Sequence, residues 1–125
     1  MAKYVTTIVL VHLLVNIAHG AAHRELMILL DPVGTLFVMV VIVAGPLVAM
    51  ALAWSSRKRL GLGLLTLSMA GALVFGFYKH FVQMSSDHVG MQPPGAWSTV
   101  FAVTSYLLAI TEALGTYSGV YYLTK

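Results

Sequence analysis

Residues 33–54 read VGTLFVMVVIVAGPLVAMALAW and contain no charged side chain. An α-helix needs about 20 apolar residues to cross the hydrocarbon core of a bilayer. A strand of a membrane barrel would instead alternate apolar and polar side chains. Because lipid offers no partners for backbone N–H and C=O groups, this unbroken run predicts a membrane-spanning helix.

Three more runs of this kind predict a bundle. Asp31 precedes the second run and can accept a hydrogen bond from its first free N–H groups, and Pro32 suits the first helical position. Gly45-Pro46 predicts a kink within that helix. We therefore expect an all-α, integral membrane four-helix bundle with up-down-up-down order, in which residues 1–125 form a single transmembrane domain. The predicted helices cover residues 4–22, 33–54, 60–83 and 97–123.

The composition supports lipid as the surroundings. The chain is 59% hydrophobic and 9% charged, with a mean hydropathy of +0.89, which leaves too little polar surface for a soluble domain. It has no cysteine, which excludes disulfides, iron–sulfur clusters and thiolate zinc sites. No phosphate-binding glycine loop or dinucleotide fingerprint occurs, and the basic residues form no stripe. We therefore expect a lipid bilayer as partner, and neither nucleic acid nor nucleotide.

The positive charges predict an orientation. With four spans, Lys3, residues 57–59 and Lys125 fall on one side of the membrane. The positive-inside rule places that side, and both termini, in the cytoplasm. We expect a multi-pass protein of the cell (plasma or inner) membrane whose histidine-rich end is extracytoplasmic.

Small residues recur every four positions on three predicted helices, a pattern that lets membrane helices pack closely. These positions are Gly45, Ala49 and Ala53 on the second helix, Ser68, Ala72, Gly76 and His80 on the third, and Gly115 and Gly119 on the fourth. One compact bundle does not need so many close-packing faces. The pattern therefore predicts a homo-oligomer or a larger membrane complex.

A polar network is predicted in the middle of the membrane. His12 and Asn16 lie on one stripe of the first helix, and Glu112 is the only acidic residue deep within a span. In an antiparallel pair of first and fourth helices, His12 and Glu112 have similar depth. We expect the two side chains to meet. In a second interpretation, His12 and Asn16 serve only as hydrogen-bonding groups that join neighbouring helices.

Histidines gather near one end of the bundle and predict a metal site. His19 and His23 lie one turn apart on the first helix, and His80 and His88 bracket the end of the third. Imidazole binds copper, zinc and iron, a carboxylate can bind the ion or orient a histidine, and a methionine thioether favours copper(I). The predicted metal ligands are His19, His23, His80 and His88, with Asp87, Glu25 and Met84 as further candidates.

Two other interpretations of these histidines remain open. A four-helix bundle can hold b-type haem in its core, with His80 and either His19 or His23 as axial ligands. Alternatively, the histidines are amphipathic side chains that rest at the lipid headgroups.

The sequence thus supports two hypotheses about function. In the first, this small four-span protein binds a transition metal (copper, zinc or iron) or haem through outward-facing histidines and serves redox chemistry or metal handling. In the second, it is a non-catalytic accessory subunit of a larger membrane complex, because its short loops leave little protein outside the membrane. Neither hypothesis specifies a catalysed reaction.

Overall fold

The computed structural model describes all 125 residues, which form four long helices and no strand. The helices are α1 (Ala2–Glu25), α2 (Pro32–Ala53), α3 (Lys58–Val82) and α4 (Ala96–Thr124). Each is long and apolar enough to cross a membrane, which confirms the prediction of four such helices in an all-α chain. The largest difference between predicted and observed ends is at the end of α1, which continues to Glu25.

The start of α2 is capped as predicted. Asp31 Oδ1 accepts a hydrogen bond from Gly34 N across 2.6 Å, and Pro32 occupies the first helical position. The aspartate thereby satisfies one of the backbone N–H groups that a helix start leaves without an internal partner.

Neighbouring helices run antiparallel and are tied together where the basic residues lie. Trp54 Nε1 donates to Thr6 Oγ1 across 2.9 Å, and the Arg59 guanidinium donates to Leu123 O across 3.4 Å. We call this the basic end of the bundle, and it carries Lys3, Arg57, Lys58, Arg59 and Lys125.

The main apolar core fills the half of the bundle next to the basic end. Its buried members are Val5, Ile8, Val9, Ala49, Ala53, Leu62, Leu65 and Met69. Gly61 lets α3 approach α2, since a Cβ at this position would lie 2.8 Å from Ala49 O. Gly115 lets α4 approach α3, since a Cβ there would lie 2.7 Å from Met69 Cγ. Helix contacts in this half therefore depend on small residues, as the sequence pattern indicates.

Two helix segments have π-helical hydrogen bonding, Val38–Ala44 in α2 and Tyr78–Val82 at the end of α3. Such segments accommodate an extra residue per turn and often lie at functional sites. The first ends at Ala44, immediately before Gly45-Pro46, where the sequence predicts a kink. The second carries His80 into the bundle.

The opposite end, which we call the histidine end, is less closely packed. There, the connections 26–31 and 83–95 join α1 to α2 and α3 to α4. α1 packs against α2 through Gly45–Ala53, whereas the Pro32–Phe37 turns of α2 barely contact α1. A gap therefore separates α1 from α2 toward the histidine end.

Candidate metal centre

Three histidines from two helices converge at the histidine end. His19 and His23 lie one turn apart on α1, and His80 reaches them from the π-helical end of α3. One ring nitrogen from each histidine lies within 4.8 Å of the other two. His19 and His80 are only 6% and 7% exposed. These three residues, here called the histidine triad, are close enough together to hold one metal ion.

Thr104 on α4 fixes the ring of His19. His19 Nδ1 lies 2.7 Å from Thr104 Oγ1, and the threonine hydroxyl donates its own proton to Val100 O across 2.7 Å. Because that proton is already engaged, the hydrogen bond between the two side chains requires His19 Nδ1–H as the donor. His19 Nε2 then carries the lone pair.

The other two triad histidines donate to backbone carbonyls. His23 Nδ1–H donates to Ile28 O across 3.2 Å, and His80 Nδ1–H donates to Asp87 O across 3.0 Å. A ligand histidine commonly donates its second ring N–H to an oxygen, which fixes the tautomer that can bind a metal. All three triad histidines therefore offer an Nε2 lone pair.

The separation of two of these nitrogens is informative. His19 Nε2 and His80 Nε2 lie 3.2 Å apart. With both Nδ1 atoms protonated, neither Nε2 carries a proton, so two lone pairs face each other. Two nitrogens bound tetrahedrally to one zinc ion, each at about 2.0–2.1 Å, would stand about 3.3 Å apart. The observed separation is close to the one expected for two ligands of one ion.

Asp87 brings a carboxylate to the triad. Its Oδ1 lies 3.3 Å from His23 Nε2 and 3.2 Å from His80 Nδ1, and the residue is 6% exposed. The His80 N–H is already directed to the Asp87 carbonyl, and Oδ1 receives no well-oriented hydrogen bond of its own. A buried carboxylate oxygen without a donor is costly, and a bound cation would compensate it.

Phe101 forms an apolar wall against the triad. Its ring is fully buried, with its centroid 4.9 Å from that of His19 and 5.3 Å from those of His23 and His80. It lies nearly parallel to the His19 ring, with an interplanar angle of 26°. This packing restricts rotation of the imidazoles and excludes water from one side of the site.

A cavity of about 310 Å³ adjoins the triad and extends to the middle of the bundle. Asn16 and Glu112 contribute polar groups at its inner part, and Ile42, Phe75 and Leu108 contribute apolar walls. Other residues of its lining are exposed on the surface of the bundle, namely Gly20, Leu29, Thr35 and Phe77. The cavity is therefore open to the surroundings at the gap between α1 and α2.

The predicted contact between His12 and Glu112 is confirmed. His12 Nε2 lies 3.3 Å from Glu112 Oε1 and 3.0 Å from Asn16 Nδ2, and His12 and Glu112 are 1% and 3% exposed. The Asn16 amide donates to His12 O across 3.1 Å. Glu112 Oε2 makes no hydrogen bond within the protein, and Glu112 lines the cavity. A carboxyl oxygen is thus left over for a ligand.

The remaining predicted ligands lie outside the triad. His88 Nδ1 accepts a hydrogen bond from Gly90 N across 2.9 Å, at the start of the short 3₁₀ turn Val89–Met91. Glu25 pairs with Arg24 at the surface, and Met84 is 70% exposed. The structure thus brings together His19, His23, His80 and Asp87 of the predicted set.

Sequence reasoning did not select Thr104 or Phe101. Both lie on α4, which carries no histidine. A threonine and a phenylalanine are common in membrane helices, so residue type alone gives no signal. The depth of Thr104 in the antiparallel pair of α1 and α4 does give a signal. Thr104 lies opposite His19 just as Glu112 lies opposite His12.

No known protein family, curated protein or solved structure shows significant similarity to this chain. The assignment of a function therefore depends on the geometry of the site.

Proposed function

We propose that this chain is a multi-pass membrane protein that binds one transition-metal ion through His19, His23 and His80. The observation that carries the proposal is the arrangement of the triad, in which each Nδ1 is held by an oxygen and one ring nitrogen of each histidine lies within 4.8 Å of the other two. Three neutral imidazoles with fixed tautomers are a typical ligand set for such an ion.

Asp87 and the cavity suggest how the ion is used. The Asp87 carboxylate supplies a fourth ligand, and the Asp87 carbonyl orients His80. Closed tetrahedral sites are typical of structural metals, whereas catalytic sites keep one position for water or substrate. Because the cavity adjoins the triad, the geometry favours an ion that meets a bound molecule, in redox chemistry or metal handling.

The donor set narrows the choice of metal. Imidazole with carboxylate suits zinc, iron and copper(II), whereas copper(I) would favour a thioether, and Met84 points away at 70% exposure. Axial haem ligands stand on opposite faces of the iron, about 4 Å apart if each bond is about 2 Å. The 3.2 Å between His19 Nε2 and His80 Nε2 favours a bare ion over haem.

The proposed location is the cell (plasma or inner) membrane, with the histidine end on the extracytoplasmic side. Its support is the set of basic residues at the other end of the bundle, which the positive-inside rule assigns to the cytoplasm. In this orientation the triad would take its metal from outside the cytoplasm.

The direct test is the metal content of purified protein in lipid nanodiscs, after loading with zinc, iron or copper and removal of unbound ions. We expect about one ion per chain, and loss of the ion in His80→Ala because one of three Nε2 ligands is removed. His88→Ala is the matched control, since His88 lies outside the triad on the same side of the bundle.

Metal retained in a His19→Ala, His80→Ala double variant would contradict the ligand set. Wild-type protein that folds but takes up no metal would contradict the proposal itself. If the isolated chain neither binds metal nor folds stably, the hypothesis of an accessory subunit gains support.

A further inference from the structure

The gap between α1 and α2 gives the cavity a lateral entrance. Gly20 on α1 and Thr35 on α2 lie on its two sides, and both residues are exposed. The entrance lies between two helices that are each apolar enough to cross a membrane. A molecule that enters here would come from the lipid, so the cavity favours a lipid-soluble ligand.

The size and chemistry of the cavity restrict that ligand further. Its volume of about 310 Å³ is about twice that of an apolar cavity of ~150 Å³ that holds benzene. The hydroxyls of Thr35 and Ser105, which also line it, are engaged with Asp31 O and Phe101 O. Polar groups thus remain at two ends of the cavity, with the triad and Asp87 at one end, Asn16 and Glu112 at the other, and apolar walls between them.

The distance between these two polar ends can be bounded from Gly76, which lies close to both. A Cβ at Gly76 would lie 3.9 Å from Glu112 Oε2 and 3.9 Å from His80 Cδ2. The carboxyl oxygen and the ring of His80 are therefore at most about twice that distance apart. The two polar ends are thus close enough together for one small ring with an oxygen at each end to contact both.

We propose that the cavity binds a lipid-soluble phenol or para-hydroquinone between Glu112 and the metal. One hydroxyl donates to Glu112 Oε2, the carboxyl oxygen that has no partner in the protein, and the second oxygen reaches the ion held by the triad. The ring lies between Ile42, Phe75 and Leu108. This inference rests on the proposed metal site for its outer end and on Glu112 alone for its inner end.

The test uses three probes that differ only in methylation: 1,4-hydroquinone, 4-methoxyphenol and 1,4-dimethoxybenzene. Their affinities are measured by equilibrium dialysis against zinc-loaded protein in nanodiscs, because zinc undergoes no redox reaction with them. We expect each methylation to weaken binding, the second by at least about tenfold, since a hydrogen bond to a carboxyl group is lost. Equal affinities for the three probes would overturn the proposal.

The Glu112→Gln variant distinguishes probe binding through the hydrogen bond to Glu112 from simple partition of the probes into lipid. With the Gln oxygen in the place of Oε1 beside His12 Nε2, its amide N–H₂ replaces the free Oε2 and turns an acceptor into a donor. The affinity difference between 4-methoxyphenol and 1,4-dimethoxybenzene should then disappear. If that difference survives in Glu112→Gln, the assignment of the inner end is wrong.

A second variant fills the space between Glu112 and His80 without changing a polar group. Gly76→Val places two methyl groups between Glu112 and His80 and should abolish probe binding while metal content stays at the wild-type level. Gly63→Val is the matched control on the same helix, because no atom lies within 4 Å of a Cβ at Gly63. Unchanged probe affinity in Gly76→Val would contradict the proposal.

Removing the metal allows the contacts at the two ends of the cavity to be tested independently. In metal-free protein, hydroquinone and 4-methoxyphenol should bind equally, and both should still bind more tightly than 1,4-dimethoxybenzene. Equal affinity of hydroquinone and 4-methoxyphenol in zinc-loaded protein would overturn the outer contact. A protein that takes up no zinc contradicts the proposed function, and the Glu112 comparison, made without metal, still decides the inner contact.

Discussion

The interiors of the two halves of this bundle are filled in different ways. In the half next to the basic end, apolar side chains and glycines bring α2, α3 and α4 into close contact, as Gly61 does against Ala49. In the half next to the histidine end, the interior holds imidazoles, carboxyl groups and a cavity of about 310 Å³. One half is closed, and the other is open to the surroundings.

This difference indicates where stability and function reside. Without a hydrophobic driving force in lipid, membrane helices associate through van der Waals packing and interhelical hydrogen bonds. The closed half supplies packing, which allows the other half to leave α1 and α2 apart. Polar groups at the open half are held by neighbours, as His19 is by Thr104, so they keep their positions although a cavity lies beside them.

The largest effect on stability is expected at the boundary between the halves. His12→Leu removes the side-chain partner of Glu112 Oε1 and leaves a buried carboxyl without one, so the free energy of unfolding should fall by about 3–5 kcal/mol. The His12→Leu, Glu112→Leu double variant should recover most of that loss. Reversible unfolding in mixed micelles gives the comparison, and a double variant as unstable as the single one would show that the pair is not a unit.

The closed half should respond strongly to one added methyl group. In Gly61→Ala the new Cβ would lie 2.8 Å from both Ala49 O and Leu52 Cβ, which forces α3 away from α2. We expect the free energy of unfolding to fall by about 1–3 kcal/mol, the usual cost of overpacking. Unchanged stability in the same unfolding assay would mean that the helices separate there at no cost.

The open half should respond in metal affinity and not in stability. Thr104→Val keeps the shape of the side chain but removes the acceptor of His19 Nδ1–H, so metal affinity should fall about 10- to 100-fold. Thr111→Val is the control on the same helix, since the Thr111 hydroxyl bonds only to carbonyls of α4. Competition with a chelator of known affinity measures both variants, and equal affinities would exclude a role for Thr104 in orienting His19.

The smallest effect is expected at the mouth of the cavity. Gly20→Ala adds the same methyl group as Gly61→Ala, but no atom lies within 4 Å of a Cβ at Gly20. Because alanine favours a helix over glycine by about 0.5–1 kcal/mol, the variant should be slightly more stable than the wild type. A loss of stability in Gly20→Ala would show that α1 and α2 are closer in the membrane than this structure has them.

The sequence predicts the four helices well because their signals are local. Long apolar runs mark the four helices, and Asp31 marks the start of α2. The contact between His12 and Glu112 also follows from sequence, because two helices of known length and opposite direction bring equal depths together. These predictions need only helix geometry and the thickness of a bilayer.

The open half depends on tertiary contacts that no local pattern contains. His80 and His88 are equally good ligands by type, but the π-helical end of α3 brings His80 to the triad, whereas His88 caps a 3₁₀ turn through Gly90 N. The choice between them is made by the connection 83–95, and its fold is not periodic. Thr104 was within reach of sequence reasoning, since its depth on α4 matches that of His19.

The position of Asp87 has a consequence for how quickly a metal ion is exchanged. Asp87 lies in the connection 83–95, and its carbonyl and carboxylate oxygens both contact His80 Nδ1. An ion bound as proposed, with Asp87 as a ligand, would be released to the aqueous side only after this connection moves away, since the other opening of the site leads through the largely apolar cavity. The rate of exchange is then set by the opening of the connection, and a tightly capped ion would persist for a long time even when a stronger chelator surrounds the protein.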